Sequence, residues 1–394
     1  MKTIALALDH FSRYAGGAES YAVSLAQTLV RSGWAVHLFG RSWEGEPQEA
    51  VFHRLTVPRW WPEWARLMGF ALKHRRAIRS GGFDVILGFG NTIHMNVYQS
   101  HGGVHWESTK RKLFAEPNPL LRLVNRVVYR ISPKQWVRHW IESAPFRLYP
   151  PPKIIAISPM IKEDFIRTFG IDAGRVALVY NGVDTDRYHP GLRQSRRGSF
   201  RQTLGIDPET VVFLFASYEL RKKGILPLIE AAGLLKSRVG ETFRVIVAGG
   251  RPSPRQSKRI AKLRLEGTIL FLGPVRNMEE CFADSDVFVL PTYYDACSLV
   301  IFEAMASGLP CITTQFNGAA GIISEGGDGF ILKHPPGVED LADKMALLLD
   351  RTRRESMGQA AAETARGYTI HQNHQAVLKI LDEVAETVRK GPAI

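Results

Sequence analysis

The sequence predicts an α/β protein built of two doubly wound parallel-sheet halves. Three observations carry that expectation. Short apolar runs alternate with helix-period stretches along both halves of the chain. Glycines punctuate the strand ends, as at Gly16-Gly17 and Gly249-Gly250. At 394 residues the chain exceeds one typical core, so two domains of about 150–200 residues are the natural division.

The first βα unit opens with an apolar strand, Thr3 to Leu8. MKTIALAL has the look of a secretion signal, but Asp9 and His10 end it early and no small-residue cleavage site follows. Asp9 to Gly17 is a loop. Glu19 to Arg31 is a helix with Ala22, Leu25, Ala26 and Leu29 on one face. Gly33 stops it, and Ala35 to Phe39 is the next strand. Gly16-Gly17 fits a plain tight turn or a loop that approaches a ligand. It is not GxGxxG, so a dinucleotide site is poorly supported. Phe83 to Leu87 is a further strand, and Val97 to Ser100 leads to His101 and Gly102-Gly103. Residues just past the carboxyl ends of parallel strands line the ligand crevice. His101 has that placement and His94 is close to it. A hydrogen-bonded loop histidine and a catalytic one both fit.

Lys153 to Ile157 is a strand, and NGVDTDRYHP, Asn181 to Pro190, is a turn-rich exit. GLRQSRRGSFRQ follows, polar and basic, and reads as a linker. Val211 to Ala216 begins a second βα series. Its loop, SYELRKKG, carries Arg221, Lys222 and Lys223 before Gly224. Three cations in a strand-to-helix loop suit a phosphate, and a surface basic cluster is the alternative. Arg244 to Ala248 and Ile269 to Leu272 are further strands. Leu341 to Leu349 and His374 to Val388 are C-terminal helices.

The most informative stretch is Ser285 to Gly318. Asp286 to Leu290 is a buried strand ended by Pro291. Thr292 to Ser298 is a turn, Leu299 to Ser307 a helix stopped by Gly308 and Pro310, and Cys311 to Thr314 a strand. The loop therefore opens directly into a helix N-terminus, which suits an anion. Asp295 and Glu303 bracket it. An ionised carboxylate repels phosphate but holds a pair of vicinal hydroxyls. Phosphates on helix N–H groups and sugar hydroxyls on carboxylates describe a nucleotide sugar. A solvated loop acid and a helix-face acid is the other reading.

Composition is ordinary for a soluble globular chain, 45% hydrophobic and 23% charged. Cys281, Cys297 and Cys311 show no metal spacing, and their odd number argues against a disulfide framework. No apolar run is long enough to span a membrane. The net charge is +13, and a strongly basic protein seeks polyanions. Much of that charge lies between Lys110 and Lys153, where Lys110, Arg111, Lys112, Arg122, Arg126 and Arg130 are among ten basic residues and only Glu116 and Glu142 oppose them. Leu120, Leu121, Val124, Val127, Val128 and Ile131 fall on one helical face and Arg122, Arg126 and Arg130 on the other. Trp106, Phe114, Tyr129, Trp136, Trp140, Phe146 and Tyr149 are interleaved. This pattern fits a segment lying on an anionic membrane surface, or a helix packed on its own domain with its arginines in water. Nucleic acid is not expected, for the chain has no RNP, helix-turn-helix or zinc pattern.

These motifs resemble those of the GT-B glycosyltransferases of family 4, glycosyl transferases group 1, and within them the lipopolysaccharide core glucosyltransferase I group. Gly16-Gly17, Lys222-Lys223-Gly224 and Asn181 to Asp184 match family motifs, and Ser42 to Glu46 is similar to the core glucosyltransferases in particular. The most specific match is the paired-acid motif, Asp295…Glu303-Ala304-Met305-Ala306-Ser307-Gly308-Leu309-Pro310. The resemblance implies an acceptor-binding domain over residues 1–190 and a nucleotide-sugar-binding domain over 200–370. A C-terminal helix, 371–394, would cross back to the first. The site would lie in the cleft between them. Glu303 would hold the ribose hydroxyls, and Lys222, Lys223 and the Gly16-Gly17 amides the diphosphate. Ser298, Leu299 and Val300 would meet the donor through their backbone, Asp295 would hold donor-sugar hydroxyls, and His101 would lie beside the reacting carbon. The basic aromatic segment would face the membrane.

Departures are visible. The first acid is Asp295 where the family has Glu, Ser298 stands where Gly is common, and Tyr218 replaces an arginine many members carry. An Asp in the core glucosyltransferases falls near Gly102-Gly103. The implied reaction is retaining hexosyl transfer from a UDP-sugar, UDP-glucose first, to a membrane glycolipid such as lipopolysaccharide core. It would occur on the cytoplasmic face of the inner membrane, with no cofactor and no metal. Asp284-Ser285-Asp286 spells D-x-D but reads as a helix-to-strand connection. The alternatives are a non-catalytic membrane-associated nucleotide-sugar binder, or a transferase acting on another cell-surface polysaccharide precursor.

Overall fold

The computed structural model describes residues 1–12, 16–44, 49–79, 81–148 and 150–391. Gly45 and Glu46 of the Ser42 to Glu46 segment, and Tyr149, lie outside them. The chain divides into two compact units, Met1–Tyr180 with Gln372–Ile394, and Asn181–His371.

The first unit is built on seven parallel strands: β1 (Thr3–Ala7), β2 (Ala35–Gly40), β3 (Val51–Arg54), β4 (Val85–Gly88), β5 (Val97–Gln99), β6 (Lys153–Ala156) and β7 (Val176–Leu178). Their spatial order is β3-β2-β1-β4-β5-β6-β7. The central strand β1 is apolar and, past Thr3, buried, as expected of a strand covered on both faces. The order reverses between β1 and β4, which opens a crevice between the loops that follow these adjacent strands. The C-terminal helix, Ile370–Lys390, belongs mostly to this unit. Arg389 grips Asp84 through Nε and Nη2, at 2.7 and 2.8 Å, and Lys2 reaches Asp382. Asn373 accepts the Tyr21 hydroxyl at 3.0 Å.

A row of imidazoles crosses the β2–β3 edge. His37 and His53 are hydrogen-bonded at 2.9 Å, and His53 stacks on Phe39. His74 meets Phe39 edge-on and is fully buried, with neither ring nitrogen hydrogen-bonded. Burial, and secondarily His94, lowers its pKa to about 3. The unfolded chain therefore binds a proton near pH 6.5 that the folded chain refuses. That stability is present above pH 6.5 and is lost as pH falls toward 3. His74→Phe is expected to remove about 3 kcal/mol of the loss between pH 7 and 4, read as urea midpoints at the two values.

The second unit has six parallel strands: β8 (Val211–Ser217), β9 (Phe243–Gly249), β10 (Ile269–Gly273), β11 (Val287–Leu290), β12 (Cys311–Thr314) and β13 (Gly329–Leu332), in the order β10-β9-β8-β11-β12-β13. Here the reversal lies between β8 and β11. The loops that follow those two strands are SYELRKKG and Pro291 to Ser298, so topology brings the two candidate ligand loops together.

One expectation fails. Gly191 to Gln202 is no linker. It forms two short helices, Gly191–Arg196 and Ser199–Thr203, packed on the Met278–Asp284 helix. Arg193, Arg197 and Arg201 reach Asp286 at 2.7, 3.0 and 2.7 Å. The three arginines are spaced by four, a signal that the polar composition masks, although the helix breaks at Arg197 between them. Asp286 is therefore a buried ion-pair centre at the foot of β11. Its carboxyl, raised by burial, is brought below the usual range by these guanidinium groups and the Val212 N–H.

Candidate functional site

The site in the second unit begins at Gly224. Its φ is +86°, and a Cβ there would stand 1.9 Å from the Pro291 carbonyl oxygen, so glycine alone lets the two loops touch. The Tyr293 N–H donates to the Lys222 carbonyl at 3.1 Å, and the Thr292 hydroxyl to the same oxygen at 3.3 Å. The Lys222-Lys223 backbone is thus fixed against the loop after β11. Lys223 forms an ion pair with Asp295, each side chain 18% exposed. Asp295 is therefore not a solvated loop acid. Lys222 points outward and pairs with Glu219. Tyr218 is exposed.

The Leu299–Ala306 helix starts beside this pair. Asn317 fixes its entry, its Oδ1 accepting the Ser298 N–H at 3.2 Å and the Ala319 N–H at 3.1 Å. Asn181 supports the same turn, donating to the Cys297 carbonyl at 2.9 Å. Ser298 caps through its backbone only, so its hydroxyl does not occupy the helix end. The first N–H groups of the helix, of Leu299 and Val300, have no carbonyl four residues back inside it and remain for a ligand. Glu303 lies four residues on from Leu299, about 6 Å along the axis and on the same face. Its carboxyl makes no hydrogen bond to another described residue. Burial pushes it up to about 7, with Arg187 opposing and Glu279 reinforcing.

Arg187 is a member of the site that sequence reasoning missed. It pairs with Glu279, stacks over Tyr188 at 5.0 Å, and holds positive charge near Glu303. Its ion-pair partner Glu279 lies 92 residues away in the chain, and the NGVD motif just before Arg187 is the only pointer in the sequence.

In the first unit, Gly16 caps the Gly17–Arg31 helix with extended backbone, φ −175°. A Cβ there would meet the Glu19 carboxylate at 2.6 Å. His101 sits between Tyr21 and Phe89, with ring centroids 4.6 and 5.6 Å away, and its Nε2 is buried without a hydrogen bond. Burial lowers its pKa to about 4, so at neutral pH the ring is uncharged and is no proton donor.

The basic segment divides. The Pro119–Ile131 helix buries none of its residues. Leu120, Leu121, Val124, Val127, Val128 and Ile131 are 50–74% exposed. The reading in which this apolar face packs on its own domain is thereby overturned. Arg126 and Arg130 lie on the opposite face, while Arg122 reaches back over Phe114 to the Glu116 carbonyl. Arg111 does not belong with them. It is held by Asp164 through two bonds of 2.6 and 2.8 Å and is 11% exposed, a structural ion pair rather than a membrane contact. Lys110 pairs with Glu107, and Lys112 lines a cavity. No helix among the described residues is long and apolar enough to cross a membrane.

Two parallel-sheet units of this kind define the GT-B architecture. Residues 15–187 match Glycosyltransferase Family 4, and residues 196–364 match Glycosyl transferases group 1. The chain belongs to the family 4 glycosyltransferases and is a glycosyltransferase. It is 24% identical to the lipopolysaccharide glucosyltransferase WaaG of Escherichia coli K12, over 95% of this chain and 96% of that one. It is 31% identical to the D-inositol 3-phosphate glycosyltransferase of Corynebacterium aurimucosum, over 52% of this chain and 51% of that one. Among solved structures, WaaG, described as involved in lipopolysaccharide biosynthesis, superposes with a TM-score of 0.81 at 21% identity, covering 96% of this chain and 99% of that one. HepE of Anabaena, in complex with UDP and glucose, superposes at 0.67 and 19% identity, covering 96% and 99%.

Proposed function

We propose that the chain is a retaining hexosyltransferase that moves glucose from UDP-glucose to a membrane glycolipid of the lipopolysaccharide core. The observation that carries this reading is the convergence after β8 and β11 of Lys223, the open N-terminus of the Leu299–Ala306 helix, and Glu303 one turn below it. The diphosphate meets Lys223 and the helix N–H groups, and Lys222 joins them by turning in from its exposed pair with Glu219. The ribose hydroxyl pair donates to Glu303, and the hexose hydroxyls to Asp295, which the phosphates release from Lys223. As the bond from the anomeric carbon to the β-phosphate oxygen breaks, negative charge grows on that oxygen. The lysines and helix end stabilise it, which is electrostatic catalysis. The acceptor hydroxyl attacks from the same face, and its proton passes to the departing phosphate. His101, uncharged, orients and excludes water beside the reacting carbon.

No metal is required in this scheme, because fixed cations meet the diphosphate. Asp286 of the D-x-D sequence is committed to three arginines. The uncovered Pro119–Ile131 helix supports a peripheral seat on an anionic leaflet, the inner face of the cytoplasmic membrane, where a glycolipid acceptor would present itself. Apolar side chains enter the acyl boundary there, while Arg126 and Arg130 remain with the headgroups.

The test is transfer from UDP-glucose in vesicles containing phosphatidylglycerol and a lipopolysaccharide core acceptor. The product is expected to keep the α configuration of the donor. Val124→Asp with Val128→Asp should cut vesicle binding at least about tenfold, since each charge disfavours burial in the acyl boundary by a kcal/mol or more, roughly. An inverted product, or binding indifferent to the double substitution, would contradict the reading.

A further inference from the structure

The Nε2 of His101 has no hydrogen bond, and the ring is seated by the two aromatic rings it touches. Phe89 offers it only a surface. Tyr21 also has a hydroxyl, and that hydroxyl is tied on both sides. Tyr21 stands in the second turn of the Gly17–Arg31 helix and is buried. Its oxygen accepts the Gln99 side-chain amide at 3.0 Å and donates to Asn373 Oδ1 at 3.0 Å. Asn373 Nδ2 donates in turn to the Tyr180 carbonyl at 2.5 Å. All three bonds run in one direction. They lead from Gln99, the last residue of β5, through Tyr21 to the C-terminal helix, and on to Tyr180, where the chain leaves the first unit. Burial raises the Tyr21 hydroxyl well above its ordinary pKa, so it remains a donor at neutral and mildly alkaline pH.

A contact between two rings tolerates sliding and rotation. A phenol bonded on both sides does not, because donor and acceptor together fix the directions about its oxygen and so the plane of its ring. The chain of neutral bonds is not needed to brace the C-terminal helix. Arg389 on Asp84 and Lys2 on Asp382 already hold its far end with charge-assisted bonds. The neutral chain lies instead where the helix comes nearest the histidine. We propose that Tyr21 and Asn373 are positioning residues: the Tyr21–Asn373 hydrogen bond fixes the Tyr21 ring, that ring fixes the orientation of His101, and turnover depends on it. The C-terminal helix is then a working part of the site. The first part of this stands on the contacts alone; the dependence of turnover rests on the reading that sets His101 beside the reacting carbon. Lys223, Asp295 and Glu303 belong to the second unit, so the effect falls on kcat and leaves the donor KM in place.

The test takes the whole chain as Tyr21→Phe, Asn373→Leu and the two combined, with Arg389→Ala as the control for loosening the same helix. Two readouts are taken. The first is the imidazole proton signal of His101 in histidine-labelled protein, assigned by its loss in His101→Asn. Its titration midpoint, lowered by burial to about 4, should rise by about one unit in Tyr21→Phe and in Asn373→Leu as the ring loosens and water reaches it, and should stay put in Arg389→Ala. The second is steady-state transfer from UDP-glucose. Each single substitution should lower kcat about tenfold with the donor KM within about twofold, and the combined variant should be no slower than the slower single one, since both break one chain. Arg389→Ala should lose melting temperature and keep its kcat. An unmoved His101 signal, a wild-type kcat in Tyr21→Phe, or a kcat that falls as far in Arg389→Ala would overturn the proposal. The transferase reading fails by a different result, wild-type protein that transfers nothing, and the His101 signal still decides whether Tyr21 and Asn373 hold the ring.

Discussion

Glu303→Ala is expected to lower kcat/KM for the donor by about 10²–10³, the equivalent of roughly 3–4 kcal/mol from two charge-assisted hydrogen bonds. The effect should be one of binding and chemistry, not of folding. Glu303 has no hydrogen-bonded partner among the described residues, and its burial works against its own charge. Removing it costs the fold little, so the melting temperature of the variant should match or exceed that of the wild type. The same burial gives a pH signature. With the carboxyl raised to about 7, its acceptor form is depleted below that pH. The donor Kd should rise as pH falls through 7, by at most about tenfold per unit. Glu303→Gln keeps the shape and one acceptor oxygen but cannot titrate. Its donor affinity should be reduced at pH 8 and flat from 8 to 6. A wild-type profile as flat as that of the variant would remove Glu303 from the donor site.

The second large effect is structural. Asp286→Asn should destabilise the second unit by about 3–5 kcal/mol, because the buried Arg201 guanidinium, with the partly exposed Arg193 and Arg197, loses the carboxylate that offsets its desolvation. For a unit of this size that is a fall in melting temperature of about 10 °C. The comparison is Lys110→Ala, which breaks an exposed pair and should cost under about 1 kcal/mol. A shift of only a degree or two for Asp286→Asn would mean that the arginines find water or other acceptors without it.

The contrast between these residues shows what a sequence makes legible. Strands β1, β8, β9 and β11 are readable because strands buried on both faces are runs of apolar residues, and Gly249 and Pro291 mark the ends of β9 and β11. Lys222, Lys223, Asp295 and Glu303 were readable because the site loops sit directly after strands, where local order alone predicts a crevice. That Lys223 and Asp295 would pair was not readable, since they lie 72 residues apart and meet only through the β8–β11 adjacency. The same holds for Arg187 with Glu279 and for Arg111 with Asp164. The basic neighbours of Arg111 in the chain place it among the membrane-facing cations, whereas its partner Asp164 lies 53 residues on. The Gly191 to Gln202 segment was misread for another reason. Polar composition is common to linkers and to ion-pair clasps, and only the spacing of Arg193, Arg197 and Arg201 separates them.

The central claim is a nucleotide-sugar site made of Lys223, the helix end at Ser298 and Glu303. Isothermal titration against UDP-, GDP- and ADP-sugars, with EDTA present throughout, tests it most directly. The account predicts that a UDP-hexose binds with a Kd on the order of micromolar, and that Lys223→Ala weakens it by about 2 kcal/mol or more. Folded protein that binds none of these sugars, or binds one only when a divalent cation replaces EDTA, would contradict it.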